Sequence, residues 1–117
     1  MTRSVLAVEN VEPEALSKIA AYHEATVKEV QEAIAANSVV VVGMSQNPFV
    51  GKARKALQEA EVQFKYLEYG SYFKGWKPRL AIKLWSGWPT YPQIFVNGKL
   101  VGGFEETINA LKAGKIK

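Results

Sequence analysis

Gln93-Ile-Phe-Val-Asn-Gly-Lys-Leu-Val101 is the stretch of sequence that decides the fold. Two short apolar segments flank the Asn97-Gly98 pair at its centre. A two-residue type I′ turn needs positive φ at both central positions, and asparagine followed by glycine adopts that geometry readily. The stretch therefore predicts a β-hairpin, and this is the strongest local signal in the chain.

A strand, a helix and a second strand are predicted before the hairpin. Residues 38–43, Ser-Val-Val-Val-Val-Gly, form a continuous β-branched run, which is typical of a strand buried on both faces. Asn47 is a good helix N-cap and Pro48 a good first helical residue, so a helix is expected to begin there. Residues 62–69 alternate moderately between apolar and polar types and predict the second strand.

The N-terminal part is predicted to be helical after an extended arm over residues 1–12. Apolar or semi-apolar residues recur there at steps of three and four, which predicts one helix over 13–36 or two helices separated near Thr26. These positions are Leu16, Ile19, His23, Val27, Val30 and Ile34. His23 is interpreted as a hydrogen-bonded residue of the packing interface.

Three further segments complete the order of elements. An aromatic-rich loop is expected over 70–78, a short helix over 79–85 and a terminal helix over 104–113, ended by Gly114. The resulting order is helix, β, α, β, α, β, β, α. This order predicts a single α/β domain with a helical segment in front of it.

The distribution of charge places the boundary between these two parts. Residues 1–37 carry three Lys/Arg and six Asp/Glu, a net charge of −3, whereas residues 38–117 carry twelve and five, a net charge of +7. We therefore expect an N-terminal arm and helix over 1–37 and the α/β domain over 38–117. The basic domain favours acidic partners. No nucleic-acid partner is expected, because no Lys/Arg run or nucleic-acid motif accompanies the charge.

The composition excludes several kinds of chemistry. The 117 residues include no cysteine and a single histidine, so disulfides, thiolate catalysis, cysteine-ligated metals and multi-histidine metal sites are ruled out. No metal and no cofactor is expected. The apolar run near the N-terminus is too short for a secretory leader, and no segment reaches the length of a membrane span. The expected location is cytoplasmic, without membrane attachment.

Two motifs in residues 39–114 resemble the glutaredoxins. Trp88-Pro-Thr-Tyr-Pro-Gln-Ile-Phe-Val-Asn-Gly98 is similar to the family's Thr-Val-Pro loop, with its cis-proline, and the hairpin after it. Leu100-Val-Gly-Gly-Phe-Glu105 is similar to its Gly-Gly-Cys-Asp motif. Trp88 makes the monothiol branch the closer relative. The resemblance implies a thioredoxin-like fold, a four-stranded mixed sheet flanked by helices, with the N-terminal helical segment added.

The chain departs from this family where the chemistry takes place. The family's Cys-Pro-Tyr-Cys or Cys-Gly-Phe-Ser motif corresponds to Asn47-Pro-Phe-Val50. Asn47 therefore stands at the nucleophile position and Val50 at the resolving position, and Met44 replaces the family's lysine. An asparagine amide is not a thiol nucleophile, so no catalytic residue is expected. We expect the Asn47 side chain to cap the helix N–H groups that would otherwise stabilise a thiolate.

The resemblance also implies a groove for glutathione. Its cysteinyl backbone would pair with Tyr91 beside Pro92, its γ-glutamyl end would meet the Phe104 N–H and Glu105, and its glycyl carboxylate would meet Arg79. The ligand-binding residues that the resemblance implies are Phe49, Arg79, Tyr91, Pro92, Phe104 and Glu105.

Three functions are compatible with these residues. The first is a redox-inactive glutaredoxin-like protein that binds glutathione-like ligands or, through the aromatic region 72–88, a protein partner. The second is a glutathione-dependent thiol–disulfide oxidoreductase whose nucleophilic cysteine at position 47 was replaced. The third is a regulatory or structural subunit that self-associates through its N-terminal helix.

Overall fold

The computed structural model of the chain describes residue 6 and residues 8–116, so residues 1–5 and 7 of the predicted arm and residue 117 lie outside it, as do the side chains of Val8, Ile19 and Ala20. A short 3-10 helix at Val8–Asn10 precedes five α-helices and four strands along these residues. The helices are α1 (Pro13–Ala21), α2 (Glu24–Ala36), α3 (Pro48–Glu59), α4 (Trp76–Ser86) and α5 (Phe104–Lys112). The strands are β1 (Val39–Gly43), β2 (Lys65–Glu68), β3 (Gln93–Val96) and β4 (Lys99–Gly102).

The strands form one mixed sheet in the order β2-β1-β3-β4. β1 runs parallel to β2 and antiparallel to β3, so that Val41 lies opposite Tyr66 on one side and Ile94 on the other. β3 and β4 pair antiparallel as the predicted hairpin. The four-stranded mixed sheet flanked by helices is thus confirmed.

Both faces of β1 are buried, and this strand divides the core into two layers. Val40 and Val42 face the layer that α2 and α4 cover, where Val30 and Ile82 have no exposed surface. The other two valines of the strand face the opposite layer, which α3 and α5 cover. The continuous β-branched run is explained by this position, since each of its side chains is removed from water.

The hairpin turn has the geometry that its residues predict. Asn97 and Gly98 have φ values of 51° and 82°, and a type I′ turn requires positive φ at both positions. The terminal helix follows directly after β4, and Gly114, with φ of 72°, lies just beyond its end.

The N-terminal helical segment is two helices, and the break lies at Tyr22-His23 instead of near Thr26. His23 has a left-handed backbone, with φ of 45°, and its side chain is exposed. The interpretation of His23 as a residue of the packing interface is therefore wrong, because the helix has ended before it. Val30 of α2 is buried as the stripe predicted, whereas Leu16 of α1 remains partly exposed.

Two predicted boundaries move by about three residues. The second strand begins at Lys65, because the Val62 N–H donates to the Leu57 carbonyl and the chain is still leaving α3. The helix expected over 79–85 begins at Trp76. Pro78 lies in its first turn, where a missing N–H leaves no helical hydrogen bond unmade.

No helix within the described residues is long and apolar enough to cross a membrane.

Two glycines give a matched test of the turn. A Cβ at Gly98 or at Gly51 would meet no atom within 4 Å, but Gly98 has positive φ and Gly51 lies within α3. We expect Gly98→Ala to destabilise the fold by about 1 kcal/mol through backbone strain, and Gly51→Ala to stabilise it by about 1 kcal/mol through helix propensity. Urea unfolding followed by tryptophan fluorescence measures both changes. Effects of the same sign would contradict this account of the turn.

Candidate functional site

A groove of about 700 Å³ lies at the carboxyl end of β1. The junction of β1 and α3, the loop before β3 and the start of α5 converge there, with α4 on one side. All six residues implied for glutathione binding line this groove, namely Phe49, Arg79, Tyr91, Pro92, Phe104 and Glu105. Its other lining residues include Met44, Asn47, Tyr72, Lys83, Trp88 and Glu106. The fold thus brings the predicted residues together from four separate segments.

Asn47 caps α3, as its position predicted. Its Oδ1 accepts hydrogen bonds from the N–H groups of Phe49 at 2.9 Å and Val50 at 3.3 Å. These are two of the donors that a helix start leaves without partners. They stabilise a thiolate when cysteine occupies such a position, but here a neutral amide oxygen accepts them.

The loop before β3 carries a cis peptide bond between Tyr91 and Pro92. The Tyr91 hydroxyl donates to the Arg79 carbonyl at 2.6 Å, which ties the loop to α4. Burial raises the pKa of Tyr91 above the ordinary range of a tyrosine, so the phenol stays protonated and keeps donating. This hydrogen bond to α4 therefore fixes the position of the loop whose backbone would pair with a ligand.

Arg79 is only 8% exposed, and its guanidinium is largely committed to the protein's own backbone. Its Nη1 donates to the carbonyl of Tyr69 at 2.9 Å and to that of Lys74 at 2.7 Å. Arg79 thus holds the aromatic loop closed while it lines the groove. The sequence predicted its place but not this second role, which depends on the path of the loop.

Lys83, one turn further along α4, is a groove residue that the sequence reasoning missed. Its Nζ lies 5.5 Å from the centre of the Tyr91 ring, over its face. No side-chain hydrogen bond or ion pair within the described residues engages this ammonium group. The signal that could have found it is the four-residue spacing from Arg79, which places both cations on one face of a helix.

The start of α5 forms the opposite wall of the groove. The Gly103 N–H donates to the Glu106 carboxylate at 3.0 Å, so this carboxylate caps its own helix. Glu105 is exposed at the same helix start. The groove consequently has cations on the α4 side and carboxylates on the α5 side.

Trp88 and the two glycines of the second motif pack closely together. A Cβ at Gly102 would lie 3.1 Å from the Trp88 ring and 2.8 Å from Glu106 Cγ. Gln93 Nε2 donates to the Trp88 carbonyl at 3.0 Å. The tryptophan indole Nε1 is buried and has no partner within the described residues. Trp88 is thus part of the groove's framework and is not an exposed member of the aromatic region.

The aromatic region 72–88 divides into parts with different surroundings. Tyr72 lines the groove, whereas Phe73 and Trp76 project to solvent beside it. Trp85 packs on Phe95, with ring centres 5.8 Å apart, on the far side of α4. The region therefore does not form one continuous aromatic surface.

Comparison with known proteins decides the family. A family model described as Glutaredoxin matches residues 39–101, which is more than half of the chain. The chain belongs to the glutaredoxin family. A glutaredoxin-like protein from Dictyostelium discoideum is 56% identical over 95 residues, covering 81% of this chain and 77% of that protein.

Solved glutaredoxin structures share the fold. Wheat glutaredoxin matches with a TM-score of 0.68 and 31% identity, covering 80% of this chain and 86% of that chain. Buckwheat glutaredoxin, solved as a complex with glutathione, matches with a TM-score of 0.69 and 21% identity, covering 79% of this chain and 84% of that chain. The thioredoxin-like fold that the motifs implied is confirmed.

The cap on α3 generates a prediction of stability. Asn47→Ala removes the acceptor of two helix N–H groups, and we expect it to destabilise the fold by about 1 kcal/mol. Asn47→Asp keeps an acceptor there and adds a charge that suits the positive end of the helix, so it should be at least as stable as the parent chain. Denaturant midpoints test both variants. An unchanged midpoint in Asn47→Ala, or an equal loss in the two variants, would contradict this account of the cap.

Proposed function

We propose that the chain binds glutathione non-covalently in the groove and does not catalyse thiol–disulfide exchange. The observation that carries this proposal is the coexistence of an assembled groove with Asn47 at the nucleophile position. The chain also has no cysteine elsewhere to take over the reaction. An amide nitrogen or oxygen cannot form the mixed disulfide on which that exchange depends. In this proposal the groove binds glutathione without carrying out thiol–disulfide exchange.

The charges of the groove support a ligand with the groups of glutathione. A carboxylate at the glycyl end would meet Lys83 and the free edge of the Arg79 guanidinium. An α-ammonium group at the γ-glutamyl end would meet Glu105, and the adjacent carboxylate would meet the Phe104 N–H at the start of α5. The ligand backbone between these ends would pair with Tyr91, next to the cis bond. The buckwheat glutaredoxin complex supports the same choice of ligand.

Glutathione titration followed by NMR or calorimetry tests this proposal. We expect saturable binding that Lys83→Ala weakens roughly tenfold, because a charge-assisted hydrogen bond is lost. Lys77→Ala is the matched control, since Lys77 lies on the same helix but does not line the groove. Arg79→Ala is a poorer probe, because it also releases two carbonyls of the aromatic loop.

The result that would overturn the proposal is the absence of saturable shifts at millimolar glutathione. An equal loss of affinity in Lys83→Ala and Lys77→Ala would also count against it, because it would reveal only general electrostatic attraction. A cytoplasmic location is consistent with a glutathione ligand and stays a prediction.

We propose in second place that the chain self-associates, because it carries an exposed apolar stripe on α4 and two exposed carboxylates, Glu12 and Glu14, at the start of α1 that complement its basic surroundings. The stripe consists of Trp76, Leu80 and Leu84 of α4, which are four residues apart and all exposed, and Phe73 of the preceding loop is exposed as well. Lys74 and Lys77 flank it. No acidic residue occurs in the sequence from 69 to 104, so the surroundings of the stripe are basic.

The acidic complement is the start of α1 in a second copy. Glu12 and Glu14 are exposed there, with Glu14 3.5 Å from Lys18 of the same helix, and Leu16 beside them is also exposed. A reciprocal arrangement would place α1 of each copy on the α4 stripe of the other, which closes as a two-fold dimer. This arrangement would bury apolar side chains and pair opposite charges at the rim.

Charge reversal gives a sharp test of this dimer. By sedimentation equilibrium, we expect the mass to rise with concentration from 13.0 kDa to twice that value. Lys74→Glu/Lys77→Glu and Glu12→Lys/Glu14→Lys should each be monomeric alone, whereas an equimolar mixture of the two should dimerise again, since both interfaces regain opposite charges. A monomeric parent chain, or a mixture that stays monomeric, would exclude the dimer.

A further inference from the structure

The mouth of the groove beside Asn47 is formed by aromatic side chains. Phe49 and Tyr72 both line the groove and are 52% and 58% exposed. The Phe104 ring lies 6.2 Å from that of Phe49, centre to centre, on the opposite wall. We refer to Phe49, Tyr72 and Phe104 as the aromatic mouth. Large aromatic surfaces left open to solvent around a groove gain free energy when an apolar group covers them.

Two of the N–H groups at the start of α3, beside this mouth, are already satisfied. Asn47 Oδ1 accepts from Phe49 N and Val50 N, so the start of α3 has fewer free donors for an anionic sulfur. Met44, at the position of the family's lysine, is buried and uncharged. The surroundings therefore give a thiolate little stabilisation, whereas an uncharged sulfur with an apolar substituent would lose little by entering them.

The aromatic mouth lies where the binding mode proposed above would place the sulfur of glutathione. In the binding mode proposed above, the cysteinyl residue of glutathione pairs with Tyr91, and its sulfur points toward position 47, where the family's nucleophile stands. A group carried on that sulfur would then lie beside Phe49, at the aromatic mouth.

We propose that this groove binds glutathione S-conjugates, thioethers with an apolar or aromatic group on the sulfur, in preference to glutathione itself. The inference rests on the proposed glutathione binding and names the class of ligand for the same site. Binding is non-covalent, so no bond forms or breaks and the conjugate is released unchanged. The aromatic mouth determines the preference, and the charged walls of α4 and α5 hold the peptide part.

Calorimetric titration of the full chain with a series of thioethers tests the preference. The probes are glutathione, S-methylglutathione and S-hexylglutathione, with S-hexylcysteine as a control that has the apolar tail but lacks the two ends of the tripeptide. We expect S-hexylglutathione to bind roughly tenfold more tightly than glutathione, from the apolar area that the mouth covers. S-methylglutathione should lie between them, and S-hexylcysteine should bind far more weakly.

Variants at the mouth identify the residues responsible. Phe49→Ala and Tyr72→Ala, both at exposed side chains, should bring the ratio of the affinity for S-hexylglutathione to the affinity for glutathione down from about tenfold toward one. Phe73→Ala is the matched control, since this side chain is 87% exposed and does not line the groove. It should change neither affinity.

The outcomes separate this inference from the proposed function. Saturable glutathione binding with equal or weaker binding of the hexyl conjugate overturns the preference and leaves the proposed function standing. Failure of every glutathione compound to bind overturns both. Binding of S-hexylcysteine as tightly as S-hexylglutathione, or an undiminished hexyl advantage in the mouth variants, also overturns the inference, because the tail would then bind without this site.

Discussion

The burial of β1 on both faces is the constraint on which the rest of the structure depends. Four consecutive valines have to be removed from water, and this requires helices on both sides of the sheet. Because both of its faces are covered, the strand ends at a fixed position between the two layers. There α3 begins, and the cis-proline loop before β3 and the start of α5 lie beside it. The groove is thus a consequence of the core.

At that point one side chain, Asn47, occupies the position of the family's nucleophile. The start of a helix offers free N–H donors whatever residue precedes it. A cysteine uses them to stabilise a thiolate, and an asparagine uses them to satisfy its own amide oxygen. The same backbone geometry therefore favours reactivity in one case and a stable, unreactive cap in the other. Asn47 at the position of the family's nucleophile is compatible with the scaffold, because its cap stabilises the helix that lines the groove.

The sequence predicted the features that depend on local chemistry and missed those that depend on distant contacts. The Asn97-Gly98 turn, the Asn47 cap and the β1 run follow from neighbouring residues alone, and the structure contains each of them. The commitment of Arg79 to two carbonyls could not be predicted, because it depends on how the aromatic loop returns to α4. The break at His23 was misplaced for a related reason, since an unbroken apolar spacing continues across the point where the helix axis changes.

The division of charge across the groove is the feature on which the proposed recognition of glutathione without a thiol depends. Lys83 and Arg79 lie on the α4 wall and Glu105 lies at the start of α5, so the two ends of the proposed ligand would meet opposite charges. Between these ends, the backbone of Tyr91 and the aromatic surfaces of Phe49 and Tyr72 require no charge on the sulfur. In this proposal the binding energy comes from the ends of the ligand and from any apolar group on its sulfur. Selectivity for glutathione would then not depend on a cysteine of the protein.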